Sequence, residues 1–352
     1  MGLRILHSAD WHMDSPFAGF TPEQRRFLKA EQQKVPVKIA ELCIRENCDL
    51  MVLSGDIFDG PYSRETVAIV RSALERCGVP VLIAPGNHDP LGSGSVWQAE
   101  PWPENVHIFR ETLQAVTLPE LDCRVYGAGY RSMDCPALLQ DFRAAGRERY
   151  QLAVLHGDPM ALNSPYCPVT AAQVRDSGLD YLALGHIHKA GSFRARHSLC
   201  GWPGCPMGRG YDETREKGVY IVDIGEETQL RFVALDTPRF FEIEVDMDRL
   251  GPEQILPAAG SEDFFRMILT GSHGRSVEEI LRAMPGFPNL EFIDRRQRYC
   301  DPWEKLDEDS LEGTYLRLLR EKLWTADPET EELVRLAAEI STKILAGREV
   351  IL

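Results

Sequence analysis

Residues 6–17 read LHSADWHMDSPF: an apolar run, Leu3 to Leu6, gives way within a few residues to Asp10 and His12, with Asp14 next in line. The pattern recurs. Leu50 to Leu53 leads into Gly55-Asp56-Ile57-Phe58-Asp59, Val79 to Ala84 into Gly86-Asn87-His88-Asp89, Leu152 to Leu155 into His156-Gly157-Asp158, and Tyr181 to Leu184 into Gly185-His186-Ile187-His188. Short apolar runs alternating with helical patterns predict βαβ units and a largely parallel sheet. Ligands of such sheets gather outside the carboxyl ends of the strands, so the five loops are expected to converge on one rim. Five of the nine histidines, His12, His88, His156, His186 and His188, fall in these loops.

Between the first two runs, Thr21-Pro22-Glu23-Gln24 supplies an N-cap, a first-turn proline and a capping-box glutamine, so a helix starts there. Pro36 is expected to break or restart it. Val67, Val70, Leu74 and Cys77 recur at helical spacing up to the stop signal Gly78. From about Phe193 to Leu235 the pattern becomes antiparallel, with a hairpin around Gly225-Glu226-Glu227. Pro238 marks a boundary. Beyond it come FFEIEVDM, a polar helix near Pro252, the run Phe264 to Leu269, a helix over Val277 to Met284 and LEFID, an α+β unit. Apolar stripes at Leu311, Tyr315 and Leu318 and at Leu333, Ala337, Ile340 and Ile344 make the end of the chain helical. The expected division is 1–237, 238–300 and 301–352.

The chain has 352 residues, 43% of them hydrophobic, enough for a substantial core. No apolar run of membrane-spanning length or secretory leader is evident, so a cytoplasmic protein with no membrane association is expected. Nine scattered cysteines lack C-x-x-C spacing and are read as buried free thiols. A net charge of −15 excludes a protein that coats nucleic acid with its whole surface. Local basic clusters remain at Lys189, Arg194, Arg196 and His197 and at Arg295, Arg296 and Arg298, both read as solvated faces.

The residue types at the rim suit divalent cations. Two cations roughly 4 Å apart can generate a nucleophile from water and clamp a phosphoryl oxygen, and they need an anionic bridge such as Asp56. Imidazoles and an amide oxygen then fill the remaining positions without neutralising the cations. Mixed nitrogen and oxygen donors suit manganese, iron or zinc better than calcium or magnesium, and the lack of cysteine argues against a structural zinc site. Asp14, Asp59, Asp89 and Asp158 are read as helix caps or supports for the ligands, and His7 as a packed histidine.

The ordered set D-x-H, G-D-x-x-D, G-N-H-D, H and G-H-x-H resembles the calcineurin-like metallophosphoesterases. More narrowly, DWHMDSPF, GDIFD, GNHD, GHIHK and WPGCPMGRGYDETREKGVYIVDI resemble the SbcD-type DNA repair exonucleases, relatives of the meiotic recombination nuclease, in their YhaO-like branch. The resemblance covers about residues 1–240 and, more loosely, the α+β unit as a capping domain. It implies a sandwich of two packed sheets flanked by helices. It also implies one metal on Asp10, His12, Asp56 and His188, a second on Asp56, Asn87, His156 and His186, and His88 over the phosphate as the catalytic residue. Manganese is the expected ion, with iron or zinc as alternatives. The implied function is two-metal hydrolysis of DNA phosphodiester bonds with a coiled-coil ATPase of the SbcC type as partner, and a homodimer stays open. Asp59 departs from the meiotic branch, which usually has histidine there, and fits the SbcD pattern. The alternative is a small-molecule or cyclic-nucleotide phosphodiesterase or phosphatase of the same superfamily. A non-catalytic scaffold would lack ligands, and none is lacking here.

Overall fold

A computed structural model describes residues 2–110, 112–249, 251, 262–271, 277–283, 288–296, 303, 305–323 and 326–345. In chain order the elements are β1 (Leu3–Ser8), α1 (Pro22–Arg45), β2 (Leu50–Leu53), α2 (Arg64–Arg76), β3 (Val81–Ile83), α3 (Val96–Ala99), β4 (Val106–Ile108), β5 (Gln114–Leu118), β6 (Cys123–Gly127), β7 (Tyr150–His156), α4 (Ala171–Asp176), β8 (Tyr181–Gly185), β9 (Lys189–Ala195), β10 (Ser198–Gly204), β11 (Gly218–Ile224), β12 (Thr228–Ala234), β13 (Phe240–Asp246), β14 (Phe264–Thr270), α5 (Val277–Ala283), β15 (Leu290–Asp294), α6 (Leu311–Leu323) and α7 (Pro328–Leu345).

The strands form two six-stranded sheets, β12-β11-β1-β2-β3-β4 and β5-β6-β7-β8-β10-β9, and a three-stranded sheet, β13-β14-β15. The five apolar runs of the sequence are therefore shared between two sheets, β1, β2 and β3 in one and β7 and β8 in the other. Period-two alternation makes this a sandwich. Ile5, Leu50, Val52 and Leu82 join Leu152, Val154, Tyr181 and Ala183 in one buried cluster between the sheets. Their neighbours in sequence face outward: Leu6, Met51 and Leu53 pack with Leu28, Val35 and Ile39 of α1 and Val67 and Val70 of α2. On the other side Ala153, Leu155, Leu182 and Leu184 pack with Val174 of α4. The result is an α/β fold of two sheets flanked by helices. Truncating an inner residue such as Leu152 to alanine costs about 2–5 kcal/mol, the transfer term plus the cavity.

α1 begins as its capping box predicts, with Gln24 N–H on Thr21 Oγ1 at 3.3 Å and Thr21 N–H on Gln24 Oε1 at 3.1 Å. Pro36 does not break it. The helix runs through the proline because Leu28, Val35, Ile39 and Leu42 are buried along it, and that burial outweighs about 3 kcal/mol for one lost donor. Ser63 caps α2, its Oγ accepting from Thr66 N–H at 3.0 Å, and Asp14 supports that cap by accepting from Ser63 N–H and Thr66 Oγ1, each at 2.7 Å. His7 is packed as expected, between Tyr181 Oη at 2.7 Å and Ser54 Oγ at 2.9 Å. The polar helix expected near Pro252, Met284, Arg298 and Cys300 lie outside the described residues. The eight described cysteines are free thiols, seven of them buried.

The chain divides into two compact units. One comprises Met1–Glu242, Ser261–Arg266 and Pro288–Leu290, and the other Ile243–Gly260, Met267–Phe287 and Glu291–Leu352. In the second, α6 and α7 bury Leu316 and Ala338. Of the stripe read from the sequence, Leu311 (89% exposed), Leu318, Leu333 and Ile344 face solvent, while Ala337 and Ile340 are half-buried. Among the described residues no helix is long and apolar enough to cross a membrane.

Candidate metal centre

The rim is built where the parallel strands of both sheets end. β1 and β2 continue as paired loops, with Asp10 N–H on Gly55 O at 3.0 Å, His12 N–H on Asp56 O at 2.9 Å and Met13 N–H on Ile57 O at 2.8 Å. To turn there, Asp10 (φ 53°), His12 (φ 46°), Asp56 (φ 53°) and His186 (φ 93°) adopt the left-handed backbone region. Such conformations cost energy outside glycine and persist where the surrounding structure imposes them. Gly86 must be a glycine, because a Cβ there would stand 2.1 Å from Asp56 Oδ1. Asp89, buried, ties two loops together by accepting from Gly86 and Ile57 N–H at 2.7 Å and from Phe58 N–H at 3.2 Å. Burial, and then the neighbouring Asp56 carboxylate, raise its pKa.

Three groups of side chains can each bring their donor atoms within 4.8 Å of one another: Asp10 with His12 and His188, Asp10 with Asp56 and His156, and His12 with Asp56 and His88. Asp56 is common to two of them. Its Oδ1 accepts from His88 N–H at 2.8 Å, and its Oδ2 lies 3.4 Å from His156 Nε2 and 3.7 Å from His12 Nε2. Asn87 Oδ1 stands 2.9 Å from His156 Nε2. His186 joins none of the three groups. Its backbone N–H donates to Asp10 Oδ1 at 2.9 Å, and its ring lies 5.2 Å from that of His156 and 4.6 Å from that of Tyr166.

The donor chemistry fits cations. His156 Nδ1 donates to Ser54 O at 2.9 Å, which turns Nε2 toward two oxygen acceptors, Asn87 Oδ1 and Asp56 Oδ2. Only a proton or a metal ion can sit among them. Burial opposes a charge there, but Asp56 and Asp10 hold the His156 pKa above its ordinary value. Likewise His12 Nε2 and His188 Nε2 face each other at 3.1 Å, and His12 Nδ1 is buried without a hydrogen-bond partner. Burial lowers the pKa of His12, which favours the neutral imidazole with a lone pair that a cation can use.

His88 differs. Its side chain is 42% exposed, and Nδ1 contacts Asp59 Oδ1 at 3.0 Å. That hydrogen bond first, against desolvation, raises its pKa. Asp59 also accepts from Ser15 Oγ at 3.0 Å and lies 3.6 Å from Arg209 Nη1.

Two residues escaped the motif reading. Glu213, only 5% exposed, takes His188 Nδ1 at 2.6 Å, Arg209 N–H at 2.8 Å and Arg209 Nη2 at 2.8 Å. Desolvation opposes its charge, but His188 and Arg209 hold it ionised. Both residues sit in the stretch WPGCPMGRGYDETREKG, so the signal was their presence there, without a metal-ligand pattern to give them a role.

This rim and the two-sheet sandwich define a phosphoesterase. Residues 3–190 match the calcineurin-like phosphoesterase family, whose members bind two divalent metals, and the chain belongs to it. It is 34% identical to YhaO of Bacillus subtilis, named an uncharacterized metallophosphoesterase, over 239 residues, covering 63% of this chain and 57% of that protein's length. Two proteins named as the D component of the nuclease SbcCD are more distant but match over more of their length. The one from Staphylococcus epidermidis is 23% identical over 82% of this chain and 84% of its own. The one from Bacillus subtilis is 24% identical over 97% and 98%.

Proposed function

We propose that the chain hydrolyses DNA phosphodiester bonds, and the observation that carries the two-metal chemistry is that three donor groups overlap at one rim, with Asp10, His12 and Asp56 each belonging to two of them. In this reading Asp10, His12, Asp56 and His188 hold one divalent cation, and Asp56, Asn87, His156 and His186 hold the other, manganese being the preferred ion. Bound there, the pair supplies Lewis-acid polarisation of a phosphoryl oxygen and a lowered pKa for the attacking water. The chain's own residues do the rest. Asp56 keeps the two sites in register because one oxygen is fixed by the His88 N–H while the other faces the imidazoles. Asp59 fixes His88 through Nδ1, leaving Nε2 to donate a proton to the departing ester oxygen or to stabilise its charge.

The DNA assignment rests on the SbcD-type relatives and on the motifs shared with them. The exposed apolar stripes of α6 and α7 support a helical partner, a coiled-coil ATPase, with residues 1–237 carrying the chemistry, 238–300 capping it and 301–352 docking. The deciding experiment incubates purified protein with end-labelled single- and double-stranded DNA and with bis(p-nitrophenyl) phosphate under several divalent ions. Cleavage of DNA is expected. Hydrolysis of the aryl ester alone would move the substrate to a small phosphodiester.

A further inference from the structure

Beside the rim lies a cleft of about 340 Å³ lined by Phe17, Phe20, Arg209, Tyr211, Asp212 and Arg266, all in the first unit. We propose that this cleft is the nucleoside subsite of the phosphodiester substrate, the place where the base and sugar next to the scissile phosphate are held. The inference rests on the phosphodiesterase reading above and goes beyond it by assigning recognition to residues outside the donor cluster.

Position is the first argument. Arg209 belongs to both places: it lines the cleft, while its Nη1 stands 3.6 Å from Asp59 Oδ2, and the other oxygen of Asp59 meets His88 at 3.0 Å. The cleft thus begins one side chain away from His88. A substrate whose phosphate reaches His88 places its neighbouring group at Arg209.

Chemistry is the second. The cleft is lined by three aromatic residues, two arginines and one aspartate, with Arg209 also paired to Glu213 and Asp59. Arg266 lies over the Tyr211 ring, 3.9 Å from its centroid, and its Nη1 is within 3.4 Å of Glu242 Oε2. A flat cation on a flat ring forms a platform suited to a base and its adjoining phosphate, whereas a simple alkyl phosphate needs no such surface. The volume is at the lower end of small-ligand sites, which fits one nucleoside better than a longer stretch of strand.

The test compares two esters with Mn²⁺ added: thymidine 5′-(p-nitrophenyl phosphate), which offers a nucleoside, and bis(p-nitrophenyl) phosphate, which does not. The readout is the ratio of their kcat/KM values in the native chain and in Tyr211→Leu and Arg266→Gln, each checked for folding by its melting temperature. The native chain is expected to prefer the thymidine ester, and each variant to lower that preference about tenfold, mainly through KM, as the loss of one stacking surface or one cation implies. The same preference in a folded variant of either kind as in the native chain, or no preference in the native chain, overturns the subsite while hydrolysis of both esters keeps the phosphodiesterase reading intact. Hydrolysis of neither ester overturns both.

Discussion

His188 Nδ1 stands 2.6 Å from Glu213 Oε1, and that carboxylate is in turn clasped by Arg209. An ionised carboxylate cannot donate, so the 2.6 Å contact assigns the proton to Nδ1, with Arg209 Nη2 3.0 Å from the same nitrogen, and Nε2 faces His12 Nε2 with its lone pair. Glu213 therefore selects the tautomer in which His188 can bind a cation.

Glu213→Gln keeps the shape but removes the charge, and the tautomer is no longer imposed. Metal affinity is expected to fall about 10- to 100-fold, the usual cost of losing a group that orients a ligand. Titration of the apo protein with Mn²⁺, followed by elemental analysis, checks this. Unchanged affinity would reduce Glu213 to a packing residue.

Asp56→Asn removes the anion shared by two donor groups. At least one metal is expected to be lost, together with the rise in melting temperature that metal gives the native chain, since ligands of the folded state stabilise it by mass action. Elemental analysis beside melting curves with and without EDTA decides it. Two metals per chain in the variant would contradict a bridging role.

His88→Ala is expected to behave oppositely. Metal content stays near that of the native protein while turnover of a phosphodiester falls about 10²- to 10⁴-fold, the range for a positioned proton donor. Because His88 also falls within reach of His12 and Asp56, loss of metal in this variant would make it a ligand instead.

Acid should destabilise the fold through His7. Burial lowers its pKa from 6.5 to about 3. The folded state therefore binds the proton less well than the unfolded one, so its contribution is complete above pH 6.5 and lost as pH falls toward 3. The slope is at most about 1.4 kcal/mol per pH unit. Urea melts of the native chain and of His7→Asn between pH 7 and 4 should show a shallower dependence in the variant, which is itself less stable at pH 7 because its bonds to Tyr181 and Ser54 are weakened. Equal slopes would assign the acid sensitivity elsewhere.

Deleting the residues after Asp309 is expected to abolish co-purification with a coiled-coil ATPase while leaving aryl-ester hydrolysis. An undiminished complex would place the docking surface outside the stripes of Leu311 and Leu333.

The sequence alone determined the identity of the rim. A strand and the loop that leaves it are local, so Leu3 to Leu6 followed by Asp10 and His12, or Tyr181 to Leu184 followed by His186 and His188, could be read without knowing what lies beside them. The capping box of α1 was legible for the same reason. What needed tertiary structure was every relation between distant segments: that the five strands divide between two sheets, that α1 survives Pro36, that much of the apolar stripe of α6 and α7 faces outward, and that Glu213 and Arg209 reach His188 and Asp59. Such relations depend on which faces find one another in the packed core, and burial there can override a local preference worth a few kcal/mol. Glu213 lies in the loop after β10, which runs parallel to β8, but belongs to no ligand spacing; only the tertiary structure brings its carboxylate to the His188 imidazole.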